Sequence, residues 1–466
     1  MTKKKTKKKA APARSEKPIV VFGLGKLGLP LACLLARHYH VTGLDTSRRR
    51  VAAIEHDEFN DQDREPQVEA LFADVHGLTD TTHSLSVAHL GSNTRDFLTL
   101  GDDFVTLIGA AQAIFIAVPT PEDEQGRLSS EHVVQAMNDI HDARYACGKH
   151  ANPDTIIFIV STLMPGETEA LREYTPDLQV IYAPTLIALG SVVENLMHPS
   201  QVMIGWDDWY AGTADIAVSD RIEAYLGALT ERGTLAGLHT TYARTAEVEV
   251  AKLSINAMLT SRVAFAQAVM ALCDQYPNCD AHNTLDLIGS DPRIGHAYLA
   301  PGLGAGGPCL PRDTLALAAD AIHPLAQGHF QNIAATNDLM AHYAAAACGL
   351  VRTVAILGAP YKLGTPNETQ SAAHTIAAIL KTRGTAAWLH NPEYDTAEAA
   401  LALTVHADAA IIALPHPMYA TLHLASIDWS IAKCHTIIDP WRTLHTPPPK
   451  HIDYIVPGHF LLDHAP

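Results

Sequence analysis

The chain has 466 residues, 47% apolar and 18% charged, and its 33 Lys plus Arg against 50 Asp plus Glu give a formal net charge of −17. Such a length and apolar content fill two or three domain cores and exclude a disordered chain. The first seventeen residues hold eight basic side chains and one Glu, so the remaining 449 carry about −24, a poor surface for nucleic acid at large.

Residues 1–17 read as a solvated basic arm. The apolar run from Ile19 to Ala36 that follows is interrupted by Lys26 and Pro30, so neither a leader peptide nor a membrane anchor is expected there. Within it, Ile19-Val20-Val21-Phe22 reads as a strand, Gly23-Leu24-Gly25-Lys26-Leu27-Gly28 as a turn, and the stretch to Arg37 as a helix. Val41 to Asp45 is a second strand, and its acid lies 22 residues after Gly23. A strand, a GxGxxG turn, a helix and an acid ending the next strand together mark a dinucleotide site. Gly23 permits the tight turn, Gly25 lets the backbone approach a pyrophosphate, and Gly28 lets helix and sheet close up. The phosphates then meet a helix N-terminus. Asp45 suits two ribose hydroxyls and repels a 2′-phosphate, which favours NAD over NADP, with Arg48 to Arg50 tempering that preference.

Two buried-strand patterns follow, Ala113 to Val118 and Thr155 to Val160, with Pro119-Thr120-Pro121 and Ser161-Thr162 at their ends. Ligands of open α/β sheets sit at carboxyl ends of strands, which places Thr120 and Thr162 beside the cofactor. The segment from Glu65 to Gly101 is polar and yields no motif. After the strand Val202 to Gly205, residues 243–273 lack Gly and Pro and read as one long helix, with Glu249, Lys252 and Asn256 on one face at i, i+3 and i+7. A plain Glu–Lys surface pair is the competing reading of that face. Next comes a second glycine-rich loop, Pro301 to Asp313, containing Gly306-Gly307-Pro308-Cys309. From Val354 strand and helix patterns alternate again (Val354–Gly358, Ser371–Arg383, Ala386–His390, Ala409–Leu414, Thr436–Asp439) without a GxGxxG, so this block is expected to bind something other than a second dinucleotide.

The expected fold is therefore α/β in three blocks. These are a Rossmann dinucleotide-binding domain over 18–210, a central all-helical domain with a long helix over 211–345, and a smaller Rossmann-like α/β domain over 346–466. Seven cysteines are scattered without a CxxC pair, which points to reduced thiols in a cytoplasmic setting. The 26 histidines show no HExxH-type spacing, so no metal is expected. A thiol in a glycine loop can add to an aldehyde, and oxidation of the thiohemiacetal gives a thioester that water cleaves. Lys252 can stabilise the oxyanions, and Asp313 can accept a proton or orient water.

These residues resemble the UDP-glucose/GDP-mannose dehydrogenases, which oxidise a nucleotide sugar to its uronic acid in two NAD-dependent steps. The resemblance runs from Ile19 to about Phe460, outside the segment around 70–95. It is carried by GLGKLG with Asp45, Val118-Pro119-Thr120-Pro121, Ser161-Thr162 with Pro165-Gly166, Lys252 with Asn256, Arg293-Ile294-Gly295, and the Cys309 loop with Asp313. It implies Cys309 as nucleophile, Lys252 as oxyanion stabiliser, Asn256 as an active-site hydrogen-bonder, Asp313 ordering the catalytic water, and Thr120 near that water. It implies an NAD site of Gly23, Gly25, Leu27, Gly28, Asp45, Arg50, Thr120 and Thr162. It also implies a nucleotide-sugar site of Lys252, Asn256, Arg293, Gly306, Lys362 and Arg442. Arg293 would reach the neighbouring subunit's substrate, hence a homodimer through the central helices, with no nucleic-acid or membrane partner.

Three departures stand out. Where the family has Asn-Pro-Glu-Phe-Leu-x-Glu-Gly, this chain has Ala183 to Gly190 with Thr185 and Leu189 in place of the glutamates. In Tyr361 to Thr369 the family's Asp and Arg become Asn367 and Thr369, and Pro308 removes one N–H donor before the thiol. A two-electron hydroxyacid-type dehydrogenase shares the Rossmann, long-helix and Lys/Asn features, and a non-catalytic NAD or nucleotide-sugar sensor is suggested by the lost glutamates. UDP-glucose is the default substrate.

Overall fold

The computed structural model describes residues 17–56, 65, 67–76, 84–90, 102–422, 429 and 432–459. Of the expected basic arm, residues 1–16 lie outside them. The chain forms two compact units, one holding the residues up to Pro121 with Ser129–Val250, the other Glu122–Leu128 with Ala251 onward.

The first unit is built on an eight-stranded sheet. Its strands are β1 (Ile19–Phe22), β2 (His40–Asp45), β3 (Ser84–His89), β4 (Ala113–Ile116), β5 (Ile156–Ile159), β6 (Gln179–Tyr182), β7 (Val202–Gly205) and β8 (Thr240–Ala243). They lie in the order β3-β2-β1-β4-β5-β6-β7-β8. All pairs are parallel except β6–β7. β1, β4 and β5 are buried along their whole length. That explains their unbroken Ile/Val/Phe runs, because a strand covered on both faces has no polar side to alternate. The chain order reverses between β1 and β4, which opens the crevice where such sheets bind ligands. Strands β3, β6 and β8 were not anticipated from sequence.

The second unit carries a five-stranded parallel sheet of β9 (Thr353–Leu357), β10 (Ala386–His390), β11 (Ala409–Ile412), β12 (Thr436–Ile438) and β13 (Asp453–Ile455), in the order β10-β9-β11-β12-β13. Its helices share one core with that sheet, since Ala266, Met270, Leu285 and Met340 cluster with Val354, Ile356, Ile411 and Ile438. The anticipated long helix is Thr245–Cys273. By length and composition it is the one helix among the described residues that would suffice to cross a membrane. In the second unit it buries a polar face of Lys252, Asn256, Thr260 and Gln267 and exposes Met258, Phe265 and Leu272.

Candidate active-site elements

In the first unit the turn Gly23–Gly28 folds as its glycines suggest. Gly23 has φ +87°, and its N–H donates to Leu44 O at 2.7 Å. A Cβ on Gly28 would overlap the Gly23 carbonyl, whereas one on Gly25 meets nothing within 4 Å. Gly25 therefore leaves open the space that a pyrophosphate needs above the helix Gly28–Ala36. Leu27 is the residue before that helix.

Asp45 is buried at the end of β2. It accepts from Leu24 N and Ser47 N, both at 2.8 Å, and from Arg50 Nη1 at 3.1 Å. Arg50 Nε is buried without a partner among the described residues. Arg50 thus lies against Asp45 as a counter-ion. Beside them a cavity of about 160 Å³ is lined by Gly23, Asp45, Thr46, Arg50, Val118, Pro119, His132, Gln135 and Asp139, among others. Across the sheet, Ser161 Oγ accepts from Val118 N at 2.9 Å and donates to Val118 O at 2.8 Å, pinning the loop that carries the buried Thr120. Thr162 is half-buried next to Ser161. The glycines with their open pyrophosphate space, Asp45 and the cavity fit a dinucleotide.

One departure acquires a structural setting. Leu189 packs on the apolar core, so an apolar residue there is used for packing. Gly190 N donates at 2.6 Å to Oε2 of Glu65, which is buried and comes from a distant part of the chain. Glu249 is not half of a surface pair. It is fully buried and accepts from Gly166 N (2.6 Å), Thr168 N (2.9 Å) and Thr168 Oγ1 (2.6 Å), capping the helix Glu167–Arg172.

In the second unit the thiol cluster forms where two helices meet. Cys309 immediately precedes the helix Leu310–Asp320, and Asp313 one turn later is wholly buried. Asp313 Oδ2 accepts from Asn256 Nδ2 at 2.6 Å, and Oδ1 accepts from Arg312 Nε and Nη2 at 2.9 and 2.7 Å. Thr260, one turn beyond Asn256, donates to Asn256 O at 2.9 Å, and Thr314 donates to Leu310 O at 2.8 Å and to Thr260 Oγ1 at 3.2 Å. Lys252 is 8% exposed. Burial lowers its pKa, against the pull of Asp313 and Cys309. Burial raises the Cys309 thiol, opposed by the cations Arg312 and Lys252. Lysine and thiol are thus close enough to feel each other's charge, and their proton affinities are drawn together.

The glycine loop before Cys309 is held by packing. Asn337 donates to Ala305 O and accepts from Ala305 N, both at 2.8 Å, and Gly307 N donates to Thr369 O at 3.0 Å. A Cβ on Gly302 would overlap the Trp441 ring, and one on Gly306 the Gln370 carbonyl. Beside the loop, Gly304, Tyr361, Lys362, Leu363, Leu414 and Trp441 line a cavity of about 360 Å³. Lys362 Nζ lies 5.9 Å from the Tyr361 ring centre.

The other expected substrate residues stand apart from that cavity. Arg442 is engaged by Asp280 and His459 and does not line it, though its neighbour Trp441 does. Arg293 is 86% exposed and paired with Asp291 at 2.6 Å. Its loop is held by Arg262, which donates to the carbonyls of Ala297, Ile294 and Gly295 at 2.7, 2.9 and 2.6 Å. Sequence reasoning missed Arg312, Arg262, Asn337, Glu65 and Asp139. Only Thr260 had a legible signal, continuing the Lys252–Asn256 face at i+4.

The chain matches the NAD binding domain of the UDP-glucose/GDP-mannose dehydrogenase family over residues 17–218 and that family's central domain over 246–339. NAD is thus the cofactor of the matched N-terminal domain. The UDP-glucose 6-dehydrogenase of Rickettsia prowazekii is 28% identical over 288 residues, covering 58% of this chain and 60% of that protein. That of Rhizobium meliloti is 28% identical over 311 residues, covering 64% and 67%. The chain therefore spans about 60% of the length of the Rickettsia relative. Among solved structures, a UDP-D-ManNAc dehydrogenase from Pyrococcus horikoshii shares the fold at TM-score 0.76 and 22% identity, covering 95% of this chain and 99% of that one. A UDP-glucose dehydrogenase from Pyrobaculum islandicum does so at 0.75 and 22%, covering 96% and 98%.

Proposed function

The chain belongs to the UDP-glucose/GDP-mannose dehydrogenase family, and from that premise we propose that it oxidises the primary alcohol of a nucleotide sugar to the uronic acid, with UDP-glucose as the default substrate. The observation that carries this reading is the cluster of the buried Lys252, Asn256 and Asp313 with the half-buried Cys309, because a two-electron alcohol dehydrogenase has no use for the thiol. Bound NAD supplies the hydride acceptor, held by the Gly23–Gly28 turn, Asp45, Arg50, Thr120 and Thr162.

The alcohol carbon loses a hydride and its hydroxyl a proton, giving the aldehyde. Cys309 Sγ adds to the aldehyde carbon as its own proton leaves, and Lys252 is the nearby acceptor whose proton affinity burial has brought down toward that of the thiol. The cation so formed stabilises the oxyanion of the thiohemiacetal. Loss of a second hydride from that carbon leaves a thioester, and water cleaves the C–S bond to release the carboxylate and restore the thiol. The sum is one alcohol, one water and two oxidants to one acid, two reduced cofactors and two protons. Asp313 has both oxygens engaged by Asn256 and Arg312, which suits it to fix Asn256 and sustain the positive charge on Lys252 while the water is ordered.

Lys362 and the cavity beside it are assigned to the nucleotide, and Gly306 and Arg442 lie outside its lining. The exposed apolar row Met258, Phe265 and Leu272, spaced seven residues apart on the long helix, supports a homodimer through the central helices, with Arg293 facing the partner. A cytoplasmic setting fits the seven unpaired cysteines.

The test is NADH formed per sugar against a panel of UDP- and GDP-sugars. Two NADH per sugar with one donor supports the four-electron reaction. One NADH per sugar with free aldehyde released favours the two-electron alternative. Binding without reduction favours a sensor.

A further inference from the structure

The cavity beside Asp45 has a feature that ribose and phosphate recognition leaves unused. Asp139 sits on the helix Glu131–Cys147 that follows β4, is only 3% exposed, and lines the cavity together with Gln135, His132 and Ala136 of the same helix. Gln135 Nε2 donates to Asp139 Oδ1 at 2.7 Å. Oδ2 has no hydrogen-bond partner among the described residues. Oδ2 is not among the fully buried unpartnered atoms, so it is open to the cavity that Asp139 lines, where a ligand can meet it. Leu44, Leu90, Val118 and Pro119 also line the cavity, so apolar surface stands beside the polar groups of Asp139, Gln135, His132, Asp45, Thr46 and Arg50. At about 160 Å³ it is of the size that takes a flat ring. Because Asp45 at its rim is the expected ribose ligand, the group placed inside is the base attached to that ribose.

We infer that Asp139, as a neutral carboxyl fixed by Gln135, donates its Oδ2 proton to a ring nitrogen of the cofactor's adenine and so sets the affinity for the adenosine half. This rests on the NAD reading above. Purine ring nitrogens are acceptors, so only the protonated acid forms this bond, and the ionised form would set a negative charge against a lone pair. Burial supports the neutral form. It pushes Asp139 up to about 7, with Asp142 adding to the rise and the Gln135 hydrogen bond opposing it. The other charged or titratable groups lining the cavity are His132 and the Asp45–Arg50 pair. Gln135 tethers Oδ1, which leaves the proton on the oxygen that faces the ligand.

The test is binding of NAD, ADP-ribose and nicotinamide mononucleotide by calorimetry at about pH 6 and about pH 8.5, with wild type, Asp139→Asn and Asp139→Leu. The wild type is expected to bind NAD and ADP-ribose about tenfold more weakly at the higher pH, the worth of one hydrogen bond plus an unfavourable charge. Nicotinamide mononucleotide, which lacks adenine, should show no such change. Asp139→Asn keeps a donor and loses the titration, so it should bind with the low-pH affinity throughout, whereas Asp139→Leu should be weak at both. Equal pH dependence in wild type and Asp139→Asn, or none in wild type, overturns the inference while leaving NAD binding intact. Failure of the wild type to bind NAD at either pH instead overturns the reading on which the inference stands. A merely structural Asp139 predicts lower stability in the variants but the same pH profile.

Discussion

The two glycine loops look alike in sequence and differ in what their missing side chains make room for. In Gly23–Gly28, Gly23 packs on the Ala117 carbonyl and Gly28 on the Gly23 carbonyl, while Gly25 opens onto empty space. In Gly302–Gly307, the space above each glycine is filled by the protein, by the Trp441 ring, the Asn337 carbonyl, the Gln370 carbonyl and Tyr361. The first loop is shaped to receive a ligand. The second is shaped to be clamped, and it holds Cys309 at a helix start. Glycine enrichment alone therefore does not distinguish a cradle from a hinge that packing has locked.

The largest effect that sharpens this contrast concerns what the second loop holds. Cys309→Ser should lower uronate formation by about a thousandfold or more while NAD affinity stays put, measured as steady-state turnover beside NAD calorimetry. Near-normal turnover would mean the locked loop serves structure alone. Asp313→Ala should come next, leaving the buried Asn256 amide and the half-buried Arg312 guanidinium without their carboxylate. The expected loss is about 3–5 kcal/mol of stability, read from denaturant midpoints. Asp313→Asn keeps the shape and should lose less.

The glycines then give a direct crossed comparison. Gly302→Ala should destabilise by about 1–3 kcal/mol through overlap with Trp441, with NAD affinity unchanged. Gly25→Ala should leave the denaturant midpoint nearly unmoved and weaken NAD, because its Cβ would occupy ligand space only. Reversed results would break the contrast.

The smallest effect is electrostatic. Burial pushes Asp280 up, but hydrogen bonds from Arg442 and from Asn283 N, with the charges of Arg442 and His459, outweigh it and hold the carboxyl at about 2. A depressed acid stabilises the fold above its unfolded pKa of about 3.9 and loses that contribution as pH falls toward 2. The difference in midpoint between wild type and Asp280→Asn should therefore be constant from about pH 5 upward and narrow below about pH 4. A difference that does not change on acidification would show that the bond to Arg442 contributes nothing through charge.

Much of the frame was legible because its signals are local. β1, the turn and Asp45 occupy one continuous stretch, and buried parallel strands announce themselves as unbroken apolar runs. β3 was hidden because Ser84 to His89 alternates polar and apolar at a sheet edge. There Thr42 and Ser86, like His40 and Ser84, meet through side-chain oxygens and nitrogens, so its partner rather than its own composition decides the strand. β13 is three residues long and has the same excuse. At the site, Lys252 and Asn256 were readable from helical spacing. That Asp313 is bridged by Arg312 and Asn256, that Asn337 clamps Ala305, and that Asp139 lines a cavity are facts of tertiary contact. No spacing rule encodes them. Glu249 shows the reverse case: the surface pair with Lys252 was only the competing reading of that face, and burial made Glu249 a helix cap.

In the proposed reaction Cys309 becomes covalently joined to the sugar during oxidation. The most direct measurement is intact-protein mass after acid quench during turnover with NAD and the nucleotide sugar that the panel identifies, followed by peptide mapping. An adduct of uronyl mass is expected on the peptide bearing Cys309 and not in Cys309→Ser. Two NADH per sugar with no adduct at any quench time, and with Cys309→Ser still forming the uronate, would contradict it.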